Sequence, residues 1–208
     1  MFFKSLSEQP KINFQELESS TTETISNYTI DDACDSVVYG VQTSKVKDDI
    51  LRSGAINGCH LVIGLINDDE SFMAHNEGSA VAENPQTIDK IKDNPSSSYY
   101  FFFTKRSFTL MYESPEDYVE AMEKSYGVQF KKVFYYNEEK PPIKSWVEAS
   151  YNHKTHSLDV AGFEMKWTGG VIQHIKHSCP SITVDAAAYA NSGASSLSIS
   201  CGKVKPAF

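Results

Sequence analysis

The run HLVIGLI at His60–Ile66 is apolar on both faces of a strand apart from His60 and Gly64, and it leads directly into NDDE at Asn67–Glu70. A strand with no polar face belongs inside a sheet. Four turn residues leave no room for a crossover helix, so SFMAH at Ser71–His75 returns as an antiparallel partner. A hairpin of this kind, buried along one of its strands, demands further strands beside it.

The chain supplies them. Runs rich in Val, Ile, Phe and Tyr, separated by turn signals, mark strands at Ser36–Gln42, Tyr99–Thr104, Phe108–Tyr112, Phe130–Asn137, Ser145–Tyr151, Ser157–Trp167, Val171–His174, Ile182–Val184 and Ser196–Cys201. Three segments read as helices. TSKVKDDILRSG has Thr43 or Ser44 as cap and Gly54 as stop, and NPQTIDKIKDNP lies between Asn84 and Pro95. SPEDYVEAMEKSYG has Ser114 as cap, Pro115 at the first helical position, Tyr118, Met122 and Tyr126 on one face, and Gly127 at its end. Strands outnumber helices and adjacent runs are tightly joined. The expected class is therefore α+β, a mostly antiparallel sheet or sandwich core with helices packed against it. Residues 1–28 include ELESSTTETISN, a polar stretch that reads as a poorly ordered arm, and residues 29–208 read as one domain.

Composition narrows the function classes. The net charge is −8 and no long Lys/Arg cluster is present, which argues against nucleic acid and anionic membrane as partners. No apolar run is long enough to span a bilayer, and MFFK lacks the order of a cleavable signal peptide. The expectation is synthesis in the cytoplasm, with any export by a route that leaves no signal. Cys34, Cys59, Cys179 and Cys201 are scattered without a C-x-x-C pair, the usage of a reducing compartment rather than of a Cys179–Cys201 disulfide.

The hairpin carries a cysteine at one end and a histidine at the other. With Asn67 and Asp68 as the central turn residues, Cys59 lies opposite Asn76 and His75 is its diagonal neighbour; a slip by one residue changes the neighbours, and only one register puts both side chains on one face. An imidazole beside a thiol favours the thiolate–imidazolium pair and so creates a nucleophile. Gly58 lets a substrate carbonyl approach the backbone, where amides near Cys59 can hold an oxyanion. The plainer alternative is a buried cysteine acting as a small hydrophobe and a solvated histidine at a strand end.

Asn57-Gly58-Cys59 leading into an apolar strand, with His75 across the hairpin, resembles the protein-glutamine deamidase superfamily of the cytotoxic necrotizing factor toxins, the Burkholderia lethal factor and the bacterial chemoreceptor deamidase. The resemblance covers Ser53–Asn76 and departs from the toxins at Asn57, where they commonly have serine. It implies a sandwich-like α/β fold, Cys59 as nucleophile on a glutamine side-chain amide, and His75 as base. Some members orient the histidine through a hydroxyl six residues before the cysteine, here Ser53; others use a backbone carbonyl. For Ser53 the competing expectation is a helix-end serine bonding its own backbone. The resemblance further implies a bacterial toxin or effector secreted into a host cytosol, a protein substrate carrying the target glutamine, and no cofactor or metal.

Other constellations are weaker. HIKHSC and HKTH place His174 with His177, and His153 with His156, at a spacing that sends strand neighbours to opposite faces, which disfavours zinc. A papain-like protease would put its cysteine at a helix N-terminus, whereas Cys59 leads into a strand. The non-enzymatic alternative is an acidic binding module rich in Tyr and Phe, the aromatic residues making up 12% of the chain.

Overall fold

The computed structural model describes residues 12–25, 40–44, 50–77, 85–108, 111–137 and 145–185. Cys34, Cys201, the start of the expected strand at Ser36–Gln42 and the expected strand Ser196–Cys201 lie outside them. In chain order the strands are β1 (Phe14–Leu17), β2 (Thr21–Ile25), β3 (Gly40–Ser44), β4 (Ile50–Ile56), β5 (Cys59–Asn67), β6 (Glu70–Glu77), β7 (Ser98–Thr104), β8 (Lys132–Tyr136), β9 (Ser145–Asn152), β10 (Ser157–Thr168), β11 (Val171–Ser178) and β12 (Ile182–Thr183). The helices are α1 (Pro85–Lys92), α2 (Lys105–Phe108) and α3 (Pro115–Tyr126).

These strands form two sheets. The first runs β1-β8-β7-β5-β6-β3, and the second β2-β11-β10-β9-β4 with β12 beside β10. The core is sheet-dominated and mostly antiparallel, as the closely spaced strand runs require. Among the described residues only β1/β8 and β7/β8 pair in parallel. The β7–β8 connection carries α2 and α3, the kind of long crossover that a parallel pair needs.

Burial explains why the two sheets look so different in sequence. The inner faces of both meet in one apolar layer that includes Leu61, Ile63, Phe102, Phe134, Val147 and Tyr151. On its other face the first sheet packs Val62, Phe101, Phe103 and Val133 into a second layer with Tyr118, Val119, Met122 and Tyr126 of α3. Its central strand β5 is thus buried on both sides and does not alternate. The second sheet has no such cover among the described residues, and β9 alternates strictly between buried and half-buried positions. Gly64 breaks the apolar run of β5 because the Phe72 ring of β6 occupies the space where a side chain would stand.

The helix at Pro115–Tyr126 has the expected ends. Ser114 accepts from the Asp117 amide at 3.1 Å, and Gly127 closes the helix at φ 70°, its amide donating to the Glu123 carbonyl at 2.9 Å. Three expectations are corrected. The polar arm contributes β1 to one sheet and β2 to the other, so sheet edges recruit Phe14, Leu17 and Ile25 despite their polar surroundings. The segment read as a capped helix through Ile50 and Leu51 is instead strand β4 over Ile50–Ile56, paired with β9. Of the segment Phe108–Tyr112, read as a strand, Phe108 is the last residue of α2 and Met111 lies in a turn, while residues 109 and 110 fall outside the described residues.

Candidate functional site

Cys59 opens β5 and His75 lies near the end of β6. Asp68 and Asp69 form the turn, where the Asn67 carboxamide oxygen accepts from the Asp69 amide at 2.9 Å. The register expected from a turn centred on Asn67 and Asp68 is therefore corrected. Asn67 pairs with Glu70, the ladder shifts between Leu65 and Asn67, and Cys59 faces Glu77 while Leu61 faces His75. Ile66 is the extra residue of a bulge. Side chains alternate across a strand, so one inserted residue exchanges the faces of everything beyond it. Without the bulge, His75 would share a face with His60. With it, Cys59 and His75 lie diagonally on the same inner face, one rung apart by period two.

A second bulge brings the third residue. Ser53 of β4 pairs with Ala149 of β9 and Ile56 with Val147, so β4 carries one residue more than its partner over this interval. Both Ser53 and Ile56 consequently point inward, at 2% and 0% exposure. From the opposite sheet, the Ser53 hydroxyl reaches His75 Nδ1 at 2.8 Å. The expectation of a helix-end serine bonding its own backbone is corrected: Ser53 lies within a strand and its hydroxyl is spent on the imidazole. Cys59 and His75 are themselves almost fully buried. In the tautomer with the proton on Nδ1, Ser53 Oγ accepts it and Nε2 presents the lone pair that a thiol proton requires.

The turn before Cys59 is held by residues that sequence reasoning missed. Gly58 has φ 92°, a conformation natural to glycine alone, and the position of its absent side chain is open space. From α2, the Ser107 hydroxyl donates to the Cys59 carbonyl at 2.5 Å, and Arg106 Nη1 donates to the Asn57 carboxamide oxygen at 2.8 Å. Ser107 also accepts from the Thr104 amide at 3.1 Å, the reciprocal arm of a capping box with serine at the third helical position. The signal TKRS at Thr104–Ser107 was therefore legible as a helix start, but the preceding aromatic strand masks it.

The remaining histidines lie elsewhere. His153 and His156 sit at the β9–β10 turn with ring centroids 5.8 Å apart, and His156 Nδ1 bonds the Tyr151 hydroxyl at 2.9 Å. His174 packs edge-on against Trp146, while His177 meets Thr22 at 3.1 Å and Glu164 at 3.8 Å. Among the described residues no group of three or more His, Cys, Asp or Glu is arranged to hold a metal ion. No helix among them is long and apolar enough to cross a membrane. Outside the second sheet, a groove of about 480 Å³ reaches Ser53 and is lined by Ile50, Arg52, Glu148, Asp159 and Lys176.

No family model matches the chain, and no curated protein matches it.

Proposed function

We propose that the protein is a cysteine-dependent hydrolase of carboxamides, a protein-glutamine deamidase in which Cys59 is the nucleophile, His75 the base and Ser53 the residue that orients the imidazole. The observation that carries this reading is the 2.8 Å bond from Ser53 to His75 Nδ1, which ties the imidazole across the sandwich on the face that also bears Cys59. Two independent bulges are needed to assemble the three residues, which favours a site over chance burial.

The chemistry runs in two halves. His75 takes the thiol proton, and the Cys59 sulfur adds to the carboxamide carbon of a glutamine side chain. The tetrahedral oxyanion collapses, and the imidazolium gives its proton to the departing ammonia, leaving a thioester. Water, deprotonated by His75, attacks the thioester; the thiolate leaves and is reprotonated. One glutamine and one water become one glutamate and one ammonia, and no redox step or cofactor is required. The resemblance extends the reading to a bacterial toxin or effector whose substrate is a protein of a host cell.

A second reading, a binding module, is favoured by the outer end of the β10–β11 hairpin, where Trp167, Val171 and Ile172 are exposed. The two readings part at the thiol. Alkylation of Cys59 by iodoacetamide, followed by peptide mass spectrometry from acid to alkaline pH, needs no substrate. The deamidase reading expects Cys59 to react well below the usual cysteine pKa of about 8.5, and to lose that advantage in His75→Ala. A thiol that titrates identically in both proteins overturns it in favour of the module.

A further inference from the structure

We propose that the Asn57 carboxamide, oriented by Arg106, donates a hydrogen bond to the carbonyl oxygen of the amide that Cys59 attacks. The proposal rests on the deamidase reading and concerns the same site. Asn57 stands two residues before Cys59 in the turn joining β4 to β5, with its side chain exposed. Arg106 Nη1 occupies its Oδ1 at 2.8 Å. A carboxamide is planar, so fixing the oxygen fixes Nδ2 as well and turns both of its N–H donors away from the guanidinium. A cation on the oxygen also draws charge from the amide and strengthens those donors.

The surroundings fit this role better than a bracing one. The turn is already anchored at Cys59 by the buried Ser107 hydroxyl. A bond between the exposed Asn57 and half-exposed Arg106 adds little to stability, because water competes for both groups. Between the two anchors, Gly58 at φ 92° has no atom other than those of its chain neighbours within 4 Å of where its Cβ would stand. A planar carboxamide can therefore come alongside Cys59, with a fixed amide donor on one flank. Oxyanion stabilisation needs donors preorganised in this manner, and side-chain amides serve as well as backbone N–H groups. Arg106 is then a positioning residue and Asn57 a catalytic one.

The test compares two reactions of Cys59 in the full chain. Iodoacetamide alkylates the thiolate by displacing iodide and forms no oxyanion. With p-nitrophenyl acetate the thiolate adds to the ester carbonyl, an oxyanion forms, p-nitrophenolate leaves, and an acetyl thioester remains. Asn57→Ala and Asn57→Asp are expected to lower the acylation rate about 10²-fold relative to the alkylation rate, the loss typical of one oxyanion donor. Asn57→Asp is decisive because it keeps an oxygen for Arg106 but has no N–H. Arg106→Met is expected to give a smaller loss, about tenfold, in the same ratio. A wild-type ratio in Asn57→Asp overturns the proposal, as does a parallel fall in both reactions, which would make Asn57 a brace of the turn. A wild-type Cys59 inert to both reagents overturns the deamidase reading itself, a different result from either.

Discussion

His60 and His75 occupy adjacent rungs of the same two strands, His60 opposite Asn76 and His75 opposite Leu61, yet they face opposite layers of the molecule. Both are buried. His60 enters the helix-covered layer, where the Tyr126 hydroxyl meets Nε2 at 2.7 Å and the Tyr118 hydroxyl meets Nδ1 at 2.8 Å. A neutral imidazole donates from one nitrogen and accepts at the other, so the two hydroxyls satisfy it completely. Burial, and to a lesser extent the neighbouring His75, push its pKa down from 6.5 to about 3. His60 is thereby a fixed neutral spacer in an aromatic layer. His75, one rung away, is held on Nδ1 by a serine and shares its face with a thiol. Two buried histidines one rung apart are thus set apart by the groups that meet their ring nitrogens.

Substitutions that exchange the fates of the two histidines would break this comparison. On the proposed deamidase reading the largest effect is expected from His75→Ala, which should slow deamidation by about 10²–10⁴-fold, the range of a lost general acid–base. His60→Ala should leave the pH profile of Cys59 alkylation unchanged. Loss of product mass change in both variants alike would erase the distinction.

Stability should show the converse. His60→Ala strands the hydroxyls of Tyr118 and Tyr126 in an apolar layer and opens a cavity, a cost of about 2–4 kcal/mol. Urea unfolding of the two single mutants should therefore place His60→Ala well below His75→Ala in midpoint.

Acid sharpens the contrast further. With a folded pKa near 3 and an unfolded value of 6.5, His60 binds a proton in the unfolded chain before it does so in the folded one. Its contribution to stability is complete above pH 6.5 and is lost as pH falls from there toward 3, by at most about 1.4 kcal/mol per pH unit. Denaturation midpoints measured across that window should fall more steeply in wild type than in His60→Phe, and equal slopes would remove His60 as the cause.

The smallest effect belongs to Ser53→Ala. Losing one hydrogen bond of roughly 1.4 kcal/mol in the orientation of His75 should reduce the rate about tenfold while the Cys59 thiol still alkylates. An unchanged rate would assign the orientation of the imidazole to another group.

Local sequence specifies the hairpin, its antiparallel sense, the buried character of Leu61–Leu65, and helix α3 with both of its ends. All of these follow from local rules: a short turn, an unbroken apolar run, and a cap at each terminus. It also pointed to Cys59, His75 and Ser53 as residues worth placing. It could not say which face each would occupy. The faces depend on bulges at Ile66 and between Ser53 and Ile56, and an extra residue in a strand has no compositional mark. Strand β4 was hidden for a related reason. A cap at Thr43 or Ser44 and a stop at Gly54 read as a helix, but pairing of Ile50–Ile56 with β9 supplies hydrogen bonds that outweigh local propensity. The support of Asn57 and Cys59 by Arg106 and Ser107 joins residues nearly fifty positions apart. Such contacts arise only when two elements are packed together, and tertiary structure alone decides which side chains meet.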